Sequence, residues 1–446
     1  MVAGEREVVR EIARRRDELV ELLVALIGFD TRARPPEGGG GEEAALQDYL
    51  GERLAAAGLE VDVWEPDPRS FPPNHLELPD EYSFAGRPQL VARSRGEGDG
   101  RSLLLNGHID VVSVEPRELW HSDPFAARVS DGAVYGRGAC DMKAGVAAMV
   151  LAAEVLRALE VPLGGDLIVN TVTDEESTGG GTLATVARGV RADGGLIPEP
   201  TNLSAWLGAR GSLLPKITVT GRAGHAGLTQ PDHRDGGAVN AIEKMQVVLR
   251  ALERLRTEWQ DDPAVRNAHL VPGGIVPTAI TAGEWIVSYP ATCALHCHVQ
   301  YLPEQADSDG RGTRVKREVE QRILAAAADD AWLREQPPTV EWEAGAVPAG
   351  VVAPETPIVA VALGTARELG LEGRIATHTT FFDGPTHTAA GTPTIGFGPG
   401  DIRLAHGVDE HVTIDELLLA AQALAVAAMC FCGVTNRAPH QRRDLP

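Results

Sequence analysis

Apolar residues recur at helical spacing through residues 5–28, at Val9, Ile12, Leu19, Leu22, Leu23 and Leu26, and predict an opening helical segment. A second helix is expected over 43–57, closed by Gly58, and a strand over Leu59–Trp64. The Pro-rich, acidic stretch from Glu65 to Arg87 reads as a long loop, a feature that in compact domains often carries function. Gln89–Ala92 and Leu103–Asn106 have the short apolar runs of buried strands. A helix of small residues begins near Lys143, the strand Leu167–Val172 follows, another helix starts from Thr182, and Gly195–Pro198 is a short strand. Strands alternating with helices predict an α/β fold, a mostly parallel sheet with helices on both faces. Such sheets bind ligands at the carboxyl ends of their strands.

Between Ser212 and Glu343 the period changes. Ile217 and Val219 alternate with threonines, and Val239, Ile242, Met245, Leu249 and Leu252 mark an amphipathic helix. Strands near Leu270–Val276 and Trp285–Tyr301, a helix around Val315–Ala327 and a strand at Thr339–Trp342 complete a β-α-β-β-α-β order, a ferredoxin-like unit. The α/β pattern resumes near Ile358. The expected organisation is therefore a discontinuous larger domain over 1–211 and 346–446, with an inserted α+β domain over 212–345. A length of 446 residues suits two cores better than one.

Composition narrows the partners. A formal net charge of -22 argues against nucleic acid and anionic membranes, which require a basic face. No uninterrupted apolar run reaches transmembrane length, and the charged start M-V-A-G-E-R-E lacks the apolar core of a secretory signal. The five cysteines follow no disulfide or zinc-finger spacing. Together these features lead us to expect a cytoplasmic protein.

Acidic and histidine residues cluster where the predicted strands end. His108 and Asp110 in L-N-G-H-I-D-V-V are one residue apart, so both point to one side, and an Asp there can hold the second ring N–H of a metal-ligating His. Asp141 in G-R-G-A-C-D-M-K-A-G stands where a helix N-cap would, yet a carboxylate with two free oxygens can bridge two cations. Glu175 and Glu176 follow a buried strand in T-D-E-E-S-T-G-G-G with no cationic neighbour in sequence. Adjacent side chains diverge, so one of the pair can ligate a metal while the other acts as general base. Glu199 in I-P-E-P-T repeats the placement between two prolines, and His406 in L-A-H-G-V-D-E-H-V offers a second nitrogen ligand. Two divalent ions against three ligand carboxylates leave one net positive charge, balanced by a hydroxide. Such a site draws the pKa of bound water from about 15.7 towards roughly 7. Mixed imidazole and carboxylate ligation suits zinc, with cobalt or manganese as alternatives.

In order and in kind these motifs resemble the co-catalytic zinc metallohydrolases that include acetylornithine deacetylase, succinyl-diaminopimelate desuccinylase, aminoacylase and glutamate carboxypeptidase. W-H-S-D-P-F, Y-G-R-G-A-C-D-M-K-A-G, D-E-E-S, P-E-P-T, G-R-A-G-H-A-G and F-G-P-G carry the resemblance across nearly the whole chain. It implies a zinc-exopeptidase-like catalytic domain with an inserted lid through which two chains dimerise. By motif, His108 with Glu199 and His406 with Glu176 are the private ligands of two metals, Asp141 bridges them, and Asp110 orients His108. Glu175 is the general base, and His225 donates to the developing oxyanion, in relatives often from the partner chain.

The implied activity is hydrolysis of the amide of a small N-acyl substrate, an N-acylated amino acid or related amine such as an N-acetyl or N-formyl compound, by metal-bound hydroxide. A dipeptidase or carboxypeptidase on the same site and a non-catalytic binding protein are the alternatives. The lid departs from the pattern. Thr278-Ala279-Ile280-Thr281 stands where many relatives have Asn-x-Ile-Pro, and Gln300 stands near the position of an arginine that grips a substrate carboxylate. His296, His298 and Gln300 share one strand face instead. This altered lid strand, with the region Val61–Arg87, looks like the deacylase branch that includes a formylaminopyrimidine deformylase, which brings in amines that are not amino acids.

Overall fold

A computed structural model describes residues 1–32, 41–71, 78, 82–378 and 380–435. Within the predicted Glu65–Arg87 loop, residues 72–77 and 79–81 lie outside the described residues. The opening segment is two helices, Ala3–Arg14 and Arg16–Ile27, because Arg15 leaves helical geometry at φ -90° and ψ 20°.

Of the strands of the two larger sheets, five come first: β1 (Glu60–Trp64), β2 (Gln89–Ser94), β3 (Leu103–His108), β4 (Leu167–Val172) and β5 (Gly194–Ile197). Four follow: β6 (Gly211–Thr220), β7 (Gly274–Ala282), β8 (Thr292–Tyr301) and β9 (Thr339–Val347). The last, β10 (Thr394–Gly396), returns to the first group. The main sheet runs β1-β2-β4-β3-β5-β10. Its centre is parallel, with β3 between β4 and β5 and with β10 beside β5. At the other side β2 runs antiparallel to β4 and β1 antiparallel to β2, so the parallel rule holds for the buried centre and not for the edge. β3, β4 and β5 are buried along their whole length, whereas β1 is largely open to solvent, as a covered centre and an exposed edge require.

The helix Lys143–Ala158 packs behind β3 and β4, and Leu103, Leu105, Val146, Met149, Val150 and Leu424 join one apolar core. Among the described residues one helix, Ile414–Cys432, is long and apolar enough to span a membrane. In this fold 72% of that stretch is buried, chiefly against Lys143–Ala158 and Ala3–Arg14, which accounts for its composition as a core helix.

The second sheet is antiparallel throughout, in the order β7-β8-β6-β9. With helices Ala241–Asp261 and Thr313–Ala328 it forms the β-α-β-β-α-β unit expected from the sequence, around Ile217, Val219, Met245, Leu255, Leu295 and Val319. The opposite face carries the half-buried Ser212, His296, His298 and Gln300. The stretch predicted as one strand from Trp285 divides. Ser288–Tyr289 pairs with Gly224–His225, and Trp285 and Ile286 project into solvent at 69% and 95% exposure. At the sheet edge, β7 exposes Val276 and Ile280.

Candidate metal centre

His108 ends β3, and its Nδ1 lies 2.9 Å from the backbone carbonyl of Asp110, which directs Nε2 outward to within 3.2 Å of Asp141 Oδ1. The carboxylate of Asp110 is farther from that ring, at 3.8 Å, because it is engaged elsewhere. Its two oxygens accept the backbone N–H groups of Glu175 at 3.3 Å and Glu176 at 3.1 Å. The carbonyl of Asp110 therefore orients the imidazole, and its side chain anchors the glutamate pair, a division that the H-x-D spacing does not reveal.

His406 Nε2 lies 3.1 Å from Glu176 Oε1 and 3.4 Å from Asp141 Oδ2. Ligand atoms of His108, Glu175 and Glu199 fall within 4.8 Å of one another, as do those of His108, Asp141 and Glu176. Helix Lys143–Ala158 reaches the segment bearing Glu199 because Gly145 has no side chain: a Cβ there would collide with the carbonyl of Pro198. His225 lies apart from this cluster, exposed on a short strand of the inserted unit, where its Nδ1 accepts the N–H of Gly227 at 3.0 Å.

Among the described residues no lysine or arginine forms an ion pair with Asp141, Glu175, Glu176 or Glu199; Asp141 and Glu176 pair with imidazoles alone. Burial pushes the carboxyls of Glu175 and Glu199 well above the usual range, and repulsion from neighbouring acids adds to it, against the pull of His108. Hydrogen bonds donated to the carboxylates of Asp141 and Glu176 raise His406 to about 10. Burial works to raise Asp141 too, but hydrogen bonds from His108 and His406 prevail and hold it below the usual carboxylate range. Buried anions of this density need positive charge brought in from outside. The mixed oxygen and nitrogen donors fit divalent cations.

A cavity of about 680 Å³ opens from Asp141, Glu175, Glu176 and His406 towards the inserted sheet, where Ser212, His298 and Gln300 form its wall. Ser212 Oγ and His298 Nε2 are 3.0 Å apart. Burial, with the nearby Arg210, holds His298 below its ordinary value, which favours its neutral form on this polar wall. Arg210 also lines the cavity, with Nη1 donating to the carbonyl of Pro272 at 3.0 Å. Thr278, singled out with Gln300 in the sequence, sits on the edge strand β7 and donates to the carbonyl of His296.

Several supporting residues escape the sequence reading. Asp174 precedes the glutamate pair at φ 73°, a left-handed conformation that non-glycine residues adopt infrequently, and accepts from Arg87, Tyr82 and Thr178. The third acid in T-D-E-E was its only signal. Asp383 accepts from Thr182 at 2.5 Å, and burial pushes it up to about 6 beside the same cluster. Glu410 receives the backbone N–H groups of Cys140 and Asp141, and the signal for it was the acid in G-V-D-E-H.

The profile described as Peptidase family M20/M25/M40 matches residues 104–429. The chain is 29% identical over 444 residues to an N-formyl-4-amino-5-aminomethyl-2-methylpyrimidine deformylase of Halalkalibacterium halodurans, covering 96% of this chain and 97% of that protein. It is 30% identical to a succinyl-diaminopimelate desuccinylase of Ralstonia pickettii, over 84% of this chain and 89% of the relative. Among solved structures, a tripeptidase from Staphylococcus aureus superposes with a TM-score of 0.70 at 21% identity, covering 93% of this chain and 98% of the other, a likeness of fold.

Proposed function

The chain belongs to Peptidase family M20/M25/M40, and from that membership we propose that it is a metal-dependent deacylase that removes a small acyl group, formyl foremost, from an uncharged heterocyclic amine. The observation that carries this reading is the cavity joining Glu175 to the polar wall of Ser212, His298 and Gln300. Those three side chains offer a ring nitrogen, a hydroxyl and an amide to a neutral polar ring, while the fixed charges Arg210 and Arg403 line other parts of the same cavity. The end-to-end likeness to the Halalkalibacterium deformylase supports the same assignment.

Asp141, His108, Glu199, Glu176 and His406 would hold two divalent ions, zinc foremost, with cobalt or manganese as substitutes. When bound, these ions activate water and polarise the acyl carbonyl. Glu175 takes the proton of the attacking water and returns it to the leaving amine, and Asp110 keeps its backbone in place. The inserted domain, 212–345, acts as lid and dimer contact. The exposed edge of β7 and the apolar Trp285 and Ile286 beside it support a second copy there, which would bring His225 of one chain to the oxyanion of the other. Sedimentation at micromolar concentration should give twice the chain mass, and Ile286→Asp should yield monomers with about 10²-fold lower kcat. A wild-type monomer of full activity removes the role of His225. The five unpaired cysteines support a reducing, cytoplasmic setting.

Arg210 in the cavity favours a second reading, a dipeptidase that grips a terminal carboxylate. Steady-state kinetics with zinc or cobalt separates the two. The formylated aminomethylpyrimidine is expected to exceed N-acetylornithine, N-succinyl-diaminopimelate and dipeptides by at least about 100-fold in kcat/KM, as expected of a site that hydrogen-bonds the ring. A dipeptide leading the panel overturns the deacylase assignment.

A further inference from the structure

The motif W-H-S-D-P-F and the arginine of G-R-G-A-C-D have no part in the chemistry above, yet they converge behind the metal centre. Arg137 and Glu410 form an ion pair at 2.6 Å with side chains 2% and 0% exposed. The other oxygen of Glu410 accepts the backbone N–H groups of Cys140 at 2.8 Å and Asp141 at 2.9 Å. The second guanidinium nitrogen of Arg137 donates to the carbonyls of Ser113 at 2.8 Å and His406 at 3.3 Å. One ion pair thus touches three ligand-bearing segments: the one that follows His108 and Asp110, the loop of Asp141, and the loop of His406.

W-H-S-D-P-F braces this pair. The Trp120 ring lies 5.1 Å from the Arg137 guanidinium carbon, and its Nε1 donates to the carbonyl of Val114. Pro124 accepts the N–H of Arg137 at 2.8 Å. His121 holds Asp409 through both its backbone N–H and its ring. Asp409 and His406 are both in left-handed conformations, at φ 56° and 61°, which non-glycine residues adopt infrequently, and the bonds from His121 and Arg137 help to hold their loop in that shape.

The two histidine ligands differ accordingly. His108 is fixed by a buried strand and is 2% exposed. The His406 side chain is 52% exposed, and its backbone carbonyl is tied to Arg137.

We infer that Arg137 and Glu410, braced by Trp120 and His121, are positioning residues that set the distance between Asp141 and His406 and so complete the metal position on the His406 side. This rests on the two-metal reading proposed above. Arg137 needs its planar fork, since it reaches Glu410, Ser113 and His406 at once, and a lysine cannot. Outer partners of metal ligands typically carry about 10- to 100-fold in affinity.

The test is a cobalt titration of chelated protein, followed by visible absorbance and by bound metal after desalting. Wild type should take two equivalents. In Arg137→Lys and Glu410→Gln the first equivalent should bind as in wild type, and the second should weaken by about 10- to 100-fold. His121→Ala, at an 80% exposed side chain that leaves the core untouched, should weaken the second equivalent by a smaller factor. Equal weakening of both equivalents, or unchanged binding of both in variants with native circular dichroism, overturns the assignment. A wild-type chain that takes up one equivalent alone overturns it together with the two-metal reading. A poor formyl hydrolase that still binds two equivalents overturns the substrate assignment and leaves this one standing.

Discussion

Glu175→Gln is expected to retain its metal while kcat falls by about 10³- to 10⁴-fold, the upper range for loss of a general acid–base group. The amide keeps the size of the side chain and leaves the backbone N–H on Asp110 unchanged, so the turn stays in place. What it removes is the capacity to accept a proton from water and to pass it to the leaving amine. Burial raises the carboxyl of Glu175, and cations bound at the cluster would work against that rise. Glu176→Gln should behave differently, losing metal together with activity, because its carboxylate meets His406 and is the one of the pair proposed above to bind metal. Kinetics and metal analysis on the same preparations separate the two. Near-normal turnover in Glu175→Gln, or loss of its metal, would reassign Glu175 as a ligand, a role that its proximity to His108 and Glu199 makes geometrically available.

Periodicity made the central strands and the inserted unit legible, because a strand buried on both faces needs an unbroken apolar run and a half-buried one needs alternation. Leu103–Leu105 and Ile217–Val219 display the two patterns directly. Direction is not written in periodicity, so nothing in Gln89–Ser94 announces that β2 runs against β4. The acids and histidines of the cluster were legible because unpaired charges at strand ends have few structural uses. Their supports were not, since Glu410 meets Asp141 from 269 residues away and Arg87 meets Asp174 from 87 away, and pairing over such separations leaves no local signature. The double task of Asp110 was hidden for a related reason: one residue acts through its carbonyl on a neighbour in sequence and through its carboxylate on a neighbour in space.

Arg87→Met is expected to cost about 3–5 kcal/mol of stability, the range for breaking one side of a buried ion pair. Arg87 and Asp174 have side chains 2% and 1% exposed and meet at 2.7 Å. Arg87 also donates to the carbonyl of Ser83 at 2.9 Å and lies 5.3 Å from the rings of Tyr82 and Phe84, so the methionine forfeits these contacts and leaves the buried Asp174 carboxylate without a cation, held by the hydroxyls of Tyr82 and Thr178. The functional consequence follows from position. Asp174 sits immediately before Glu175 in a left-handed conformation that its bonds to Arg87, Tyr82 and Thr178 maintain, and its carbonyl receives the N–H of Gly179 at 2.8 Å. Without Arg87 the turn that carries Glu175 is expected to loosen, since one of the three side chains that hold Asp174 is gone. The double variant Arg87→Met, Asp174→Asn removes the buried charge and should recover at least about 1 kcal/mol relative to Arg87→Met, because the coupling between the two residues then no longer includes an unpaired ion. Urea unfolding of the two single variants, the double variant and wild type measures that coupling. An Arg87→Met protein within about 1 kcal/mol of wild type, or a double variant no more stable than Arg87→Met, would show that the pair does not anchor the turn. In the expected case kcat should fall with the stability of the turn while KM changes little, since the cavity wall of Ser212, His298 and Gln300 lies on a separate sheet.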